Sequence, residues 1–129
     1  MRRTRLAVAG MAVLFTACGG SGSSTTTPST PTAPAAATIT ISSAGVVSPK
    51  TVTVPRGSQV QFINNDRVAH QVSSNPHPEH TDCPEINTVG LLNTNQSRQT
   101  GNLNTARTCR FHDHDNPLNA NLQGSIVIQ

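Results

Sequence analysis

From residue 38 onward the chain changes side every second residue. Thr38-Ile39-Thr40-Ile41-Ser42, Thr51-Val52-Thr53-Val54 and Ser58-Gln59-Val60-Gln61-Phe62-Ile63 alternate polar with apolar, the period of strands that bury one face. Pro55-Arg56-Gly57 separates the last two as a turn. Ala69 to Ser73, Ser97 to Thr100, Ala106 to His112 and Gly124 to Ile128 supply further short strands. No helical period is sustained, although one helical turn fits within Glu85–Leu92, and there is no internal repeat. Short strands with turn signals between them predict an all-β domain, a small Greek-key β-sandwich or barrel. A Pro- and Asn-rich stretch from Ser74 to Asn95 interrupts the pattern. Loops of that length in a compact domain are usually functional or disordered.

The 129 residues allow one domain, and the alternating part begins late. Met1-Arg2-Arg3-Thr4-Arg5 is basic, Leu6 to Phe15 is apolar, and small residues precede Cys18, the layout of a secretory signal. The apolar run is shorter than the ~20 residues that span a bilayer. Leu14-Phe15-Thr16-Ala17-Cys18-Gly19 resembles the lipobox of bacterial lipoproteins. That resemblance implies a signal peptide over residues 1–17, cleavage before Cys18 and lipidation of its sulfur, with Phe15 where the motif usually has leucine. The alternative is ordinary cleavage near Ala17, leaving Cys18 free. Residues 18–37 are otherwise Ser, Thr, Pro, Gly and Ala, too apolar-poor to form a core, and are predicted to be a flexible tether. The expected product is an exported, membrane-anchored lipoprotein, periplasmic or at the cell surface, whose domain spans residues 38–129. Arg2, Arg3 and Arg5 account for the whole formal excess of +3. The mature chain is near neutral and its only aromatic residues are Phe62 and Phe111, so no nucleic-acid partner is expected.

Ser48-Pro49-Lys50-Thr51-Val52-Thr53-Val54, then Gly57, Val60 and Phe62, then Asn64-Asn65-Asp66 and His70 resemble the N-terminal half of a cupredoxin of the plastocyanin or azurin type. Cys109-Arg110-Phe111-His112 running to Leu122-Gln123-Gly124-Ser125-Ile126-Val127 occupies the family's second ligand-bearing hairpin. The resemblance covers nearly all of residues 38–129. It implies a cupredoxin-like sandwich, copper as cofactor and His70 as a ligand. The second half departs from the family. Its aromatic-x-Cys pattern falls nearer Asp113 than Cys109, and Leu122 stands where plastocyanin-like proteins place an axial methionine. Pro76-His77-Pro78-Glu79-His80 and Phe111-His112-Asp113-His114-Asp115-Asn116-Pro117 look like a His-rich branch without a cysteine ligand.

All five histidines fall in three clusters: His70, His77 with His80, and His112 with His114. On a strand, residues two apart share a face, so His112 and His114 can reach one ion. Imidazole suits copper, zinc, iron and nickel, with geometry setting selectivity. The expected copper site has His70, His112 and His114 as its core, with His77 and His80 as a loop-borne accessory pair. Asp113 and Asp115 are candidates to orient imidazoles from behind. The competing reading takes the histidines as surface residues of polar loops.

Cys83 and Cys109 admit two readings. An even pair in an exported domain is first a disulfide candidate, closing a loop of 26 residues. Alternatively, Cys109 supplies the thiolate of a blue copper centre with His70 and His112. That option leaves Cys83 unpaired, and the mature chain has no methionine. A disulfide with an all-histidine site is therefore favoured.

The expected function is copper handling outside the cytoplasm, by capture, buffering or transfer to a protein partner. Blue-copper electron transfer with a redox partner is the alternative, and a metal-free Ig-like scaffold the second. No nucleophile–base pair or acid–base carboxylate couple stands out, so an enzyme is not expected.

Overall fold

The structure, a computed structural model, describes residues 34–129. The signal segment, Cys18 and nearly all of the tether lie outside the described residues. Among the described residues nine strands form two sheets: β1 (Ala37–Ile41), β2 (Val47–Ser48), β3 (Thr51–Val54), β4 (Val60–Asn64), β5 (His70–Ser74), β6 (Gly90–Leu92), β7 (Ser97–Gln99), β8 (Arg107–Asp113) and β9 (Gly124–Ile128). One sheet has the order β2-β1-β4-β7 and the other β3-β9-β8-β5-β6. β1 runs parallel to β4 and β3 parallel to β9, and the remaining pairs are antiparallel. The only helices among the described residues are single 3-10 turns at Ile86–Thr88 and Ala120–Leu122, the first inside the stretch where one turn was expected. No described helix is long and apolar enough to cross a membrane.

The alternation does what its period requires. Ile39, Ile41, Val60 and Phe62 from one sheet meet Val72, Leu92, Phe111, Ile126 and Ile128 from the other, all at most 3% exposed. Phe62 and Phe111 meet edge to face across the gap, centroids 5.0 Å apart, a geometry that adds about 0.5–1.5 kcal/mol beyond burial. Phe111 lies opposite Gly124. A Cβ on Gly124 would strike the Phe111 ring and the Lys50 carbonyl, so the hairpin carrying β8 closes only on a glycine. Ala37, grouped by composition with the tether, opens β1 and packs half-buried on the core. Two strands, β2 and β6, are additional to those the alternation marked.

Candidate metal centre

Strand register decides which histidines meet. On β8, Cys109, Phe111 and Asp113 point into the sandwich, and Cys109 pairs with core residue Ile126. His112, out of phase with them, projects from the opposite face, and His114 follows two residues on, its N–H donating to the Gln71 carbonyl at 2.8 Å. On β5, His70 shares its phase with Val72 and pairs with Leu92, both in the core. His70 and the His112–His114 pair therefore lie on opposite faces of one sheet.

The segment after β5 brings the remaining two histidines onto the outer face. Asn75 N–H donates to the Arg110 carbonyl at 3.0 Å, His80 N–H to the Pro76 carbonyl at 2.7 Å, and Asp82 N–H to the Asn75 carbonyl at 2.8 Å. His80 has φ of +55°, a left-handed backbone conformation uncommon for a side-chain-bearing residue. Asn87 holds that turn, its Nδ2 donating to the His80 carbonyl and its Oδ1 accepting from Ser74 N–H, both at 2.8 Å. Strained residues fixed by surrounding bonds concentrate at functional sites.

His77, His80, His112 and His114 thus converge, each offering a ring nitrogen within 4.8 Å of the other three. Ring centroids stand 4.9–5.6 Å apart. Four nitrogens each about 2.0–2.1 Å from one ion lie roughly 3.3–3.4 Å from one another in a tetrahedral set, so a closure of the four rings completes such a set. His112 carries the sharpest sign. Its Nδ1 donates to Asn75 Oδ1 at 2.8 Å, which leaves Nε2 as a lone-pair donor. That Nε2 is buried with no hydrogen-bond partner. A buried polar atom without a partner costs about 1–3 kcal/mol and calls for an explanation; a cation among four imidazoles supplies one. His114 Nδ1 and His80 Nε2 lie 3.2 Å apart, sharing a proton that an ion would displace. Burial first, then the neighbouring imidazoles, hold the pKa values of His112 and His80 below the ordinary histidine value. Both rings are thereby kept in the neutral form that metals bind.

His70 is placed differently from its expected role. Its Nδ1 lies 2.7 Å from Asp113 Oδ2 and its Nε2 3.0 Å from Asp66 Oδ2, so both ring nitrogens donate to carboxylates. Burial works against the charged ring, but the bonds to Asp113 and Asp66 outweigh it and raise the His70 pKa. His70, His112, Asp113 and Leu122 are among the residues that line one interior cavity of about 10 Å³, room for roughly one water. The positions that the cupredoxin resemblance marked do come together there, but with a carboxylate in place of a thiolate and an imidazole already bonded on both sides. Of the expected core set, His112 and His114 converge with His77 and His80, while His70 is bonded to Asp113 and Asp66 and lies outside that group. Asp113 braces the segment from the inner face, accepting also from the N–H groups of Gln71 and Asp115.

Cys83 and Cys109 are joined, with Cα atoms 5.7 Å apart. The alternative assignment of Cys109 as a metal ligand is thereby overturned. Its sulfur is bonded, it is fully buried, and it faces the core while His112 faces out. Sequence reasoning missed Asn75 and Asn87, whose roles depend on contacts distant along the chain, and gave Asp66 no part in the site.

No protein-family profile and no curated protein sequence matches this chain. Among solved structures the likeness is clear. A purple cupredoxin from Nitrosopumilus maritimus superposes with a TM-score of 0.54 at 18% identity, over 72% of this chain and 99% of the other. Oxidised plastocyanin from Dryopteris crassirhizoma gives 0.55 at 18%, over 71% and 99%. A reduced amicyanin variant gives 0.57 at 17%, over 77% and 87%. The chain has the cupredoxin fold.

Proposed function

We propose that the chain is an exported, lipid-anchored copper-binding protein that captures copper outside the cytoplasm and passes it to a partner. The observation that carries the copper-binding reading is the convergence of four imidazoles on the buried, unpartnered Nε2 of His112. Copper is favoured by the donor type, because Cu(II) stands at the top of the divalent affinity order for nitrogen sites, and by the fold's likeness to copper proteins. The four histidines would hold the ion, and bound copper would supply a redox-active, exchangeable centre. His112 and its Asn75 partner form the fixed wall. His77 is exposed and His80 and His114 half-buried, so one side stays open to a donor or acceptor. The blue electron-carrier alternative needs a thiolate, and Cys109 is in a disulfide. Export rests on the signal layout of residues 1–17 and anchoring on the lipobox-like Leu14 to Gly19.

Titration with Cu(II), followed by absorption and EPR, tests the site. One equivalent should bind with weak d–d absorption and a type-2 EPR spectrum, and His112→Ala should lose it. An intense thiolate-to-copper band, or equal copper uptake by the alanine variant, refutes the assignment, and tighter retention of Zn(II) than Cu(II) refutes copper as the cargo. For the anchor, fatty-acid labelling and membrane association should disappear in Cys18→Ser.

A further inference from the structure

The metal site is made of two halves that the fold joins in few places. His112 and His114 belong to β8 and the turn after it. His77 and His80 ride on residues 75–83, which leave β5 after Ser74. At its start this loop is held to β8 by the bonds of Asn75 to the Arg110 carbonyl and to His112 Nδ1. At its end Cys83 is bonded to Cys109. The cross-link stands three residues beyond His80 on the loop and three residues before His112 on the strand. It is the one covalent tie between the halves, and it lies at the loop end opposite the Asn75 bonds.

We propose that this disulfide is a redox latch on the metal site, an inference that rests on the four-histidine metal reading. With the bond intact, the loop is fastened at both ends and the four rings are held near their binding positions. A dithiol of a thiol–disulfide exchange protein opens the latch: its two sulfurs form a new disulfide, and Cys83 and Cys109 each leave as a thiol, carrying between them the two electrons and two protons. The loop then keeps only non-covalent ties, the Asn75 bonds, the Asn87 bonds to Ser74 and His80 and the Arg107–Glu85 ion pair just beyond it, and metal affinity falls. The effect is reciprocal. If reduction weakens metal binding by some factor, bound metal makes reduction harder by the same factor. Burial adds a kinetic side, since both sulfurs are fully inaccessible. A reductant reaches them only when the loop lifts, the motion that would part His77 and His80 from His112 and His114. An ion bridging the two halves opposes that motion.

Two measurements on the full chain test the latch. In the first, Cu(II) and Zn(II) dissociation constants are compared between the disulfide-intact protein and Cys83→Ser/Cys109→Ser, with Cys18 blocked in both so that no thiol competes for metal. The variant should bind between about 5- and 150-fold more weakly, the usual range of coupling between sites. In the second, the native disulfide is reduced with a water-soluble phosphine, which becomes the phosphine oxide as water supplies the oxygen and the two thiol protons. New thiols are alkylated and counted by mass, with and without saturating Zn(II) as a redox-inert probe. Zn(II) should slow reduction, because an ion bridging the two halves lowers the population of the lifted loop, and it should have no effect on His77→Ala/His80→Ala. Equal metal affinity in a folded serine variant overturns the proposal, as does a reduction rate indifferent to Zn(II). The second measurement decides the matter if the serine variant does not fold. An intact protein that takes up neither ion sinks the metal reading and the latch with it, a result distinct from metal bound equally in both states.

Discussion

His70 and His112 are equally buried, each 3% exposed, yet their surroundings demand opposite charge states. The ring of His70 sits between Asp113 and Asp66 and is favoured as a cation. The ring of His112 has one amide partner and three imidazole neighbours and is favoured neutral. Their substitutions should therefore separate cleanly. His70→Ala should keep one bound Cu(II) while losing about 1.5–3 kcal/mol of stability, the worth of hydrogen bonds to a charged group, read from denaturant midpoints. Loss of copper binding in a folded His70→Ala protein would return His70 to the ligand set. Asn75 acts one bond further out by fixing which nitrogen of His112 is free. Asn75→Ala should weaken metal binding about 10- to 100-fold, the usual cost of losing a partner behind a ligand. Asn75→Asp keeps an acceptor there and should restore affinity in an equilibrium titration.

At the scale of elements, β8 does two jobs by parity. Its inward residues Cys109, Phe111 and Asp113 make a cross-link, a core contact and a carboxylate brace; its outward His112 serves the site. This division was partly legible beforehand. His70 is in phase with Val72, the one apolar side chain of its strand, and that phase alone assigns it to the interior. What hid the point was the resemblance to a ligand position, which outweighed the period. The longer strands were readable because four or five alternating residues define a face. β2, of two residues, and β6, of three, are too short to show a period and exist only because β1 and β5 offer edges to pair with. The convergence of the loop histidines was not readable either, since it depends on the Asn75 and Asn87 bonds and on His80 adopting a positive φ. Gly124 tests the hairpin itself. Gly124→Ala should destabilise the fold by about 1–3 kcal/mol, the usual cost of overpacking, because neither the Phe111 ring nor the Lys50 carbonyl has room to retreat. An unchanged denaturation midpoint would show that the hairpin yields.

Over the whole molecule, proton binding by these groups sets how stability and metal retention depend on pH. His80 and His112 have folded-state pKa values below their unfolded value of about 6.5. In the metal-free protein the stability they contribute is present above about pH 6.5 and is lost as pH falls through their folded values, because the unfolded chain takes up protons first. His70 runs the other way. Its pKa is raised, so its contribution is full below about pH 6.5 and is lost as pH rises through its folded value. Asp66, lowered chiefly by its bond to His70, contributes above about pH 3.9 and loses that contribution at lower pH. Metal changes the balance on one side only, since it requires neutral His77, His80, His112 and His114 and has no claim on His70. A ligand at 100 times its dissociation constant adds about 2.7 kcal/mol to stability. The rise in Tm on adding Cu(II) should therefore be largest above pH 6.5 and shrink as pH drops below it. Thermal unfolding with and without Cu(II) between pH 4.5 and 8 measures this directly. A metal-induced Tm shift that stays constant across that range would mean that the ion is held by groups other than these imidazoles.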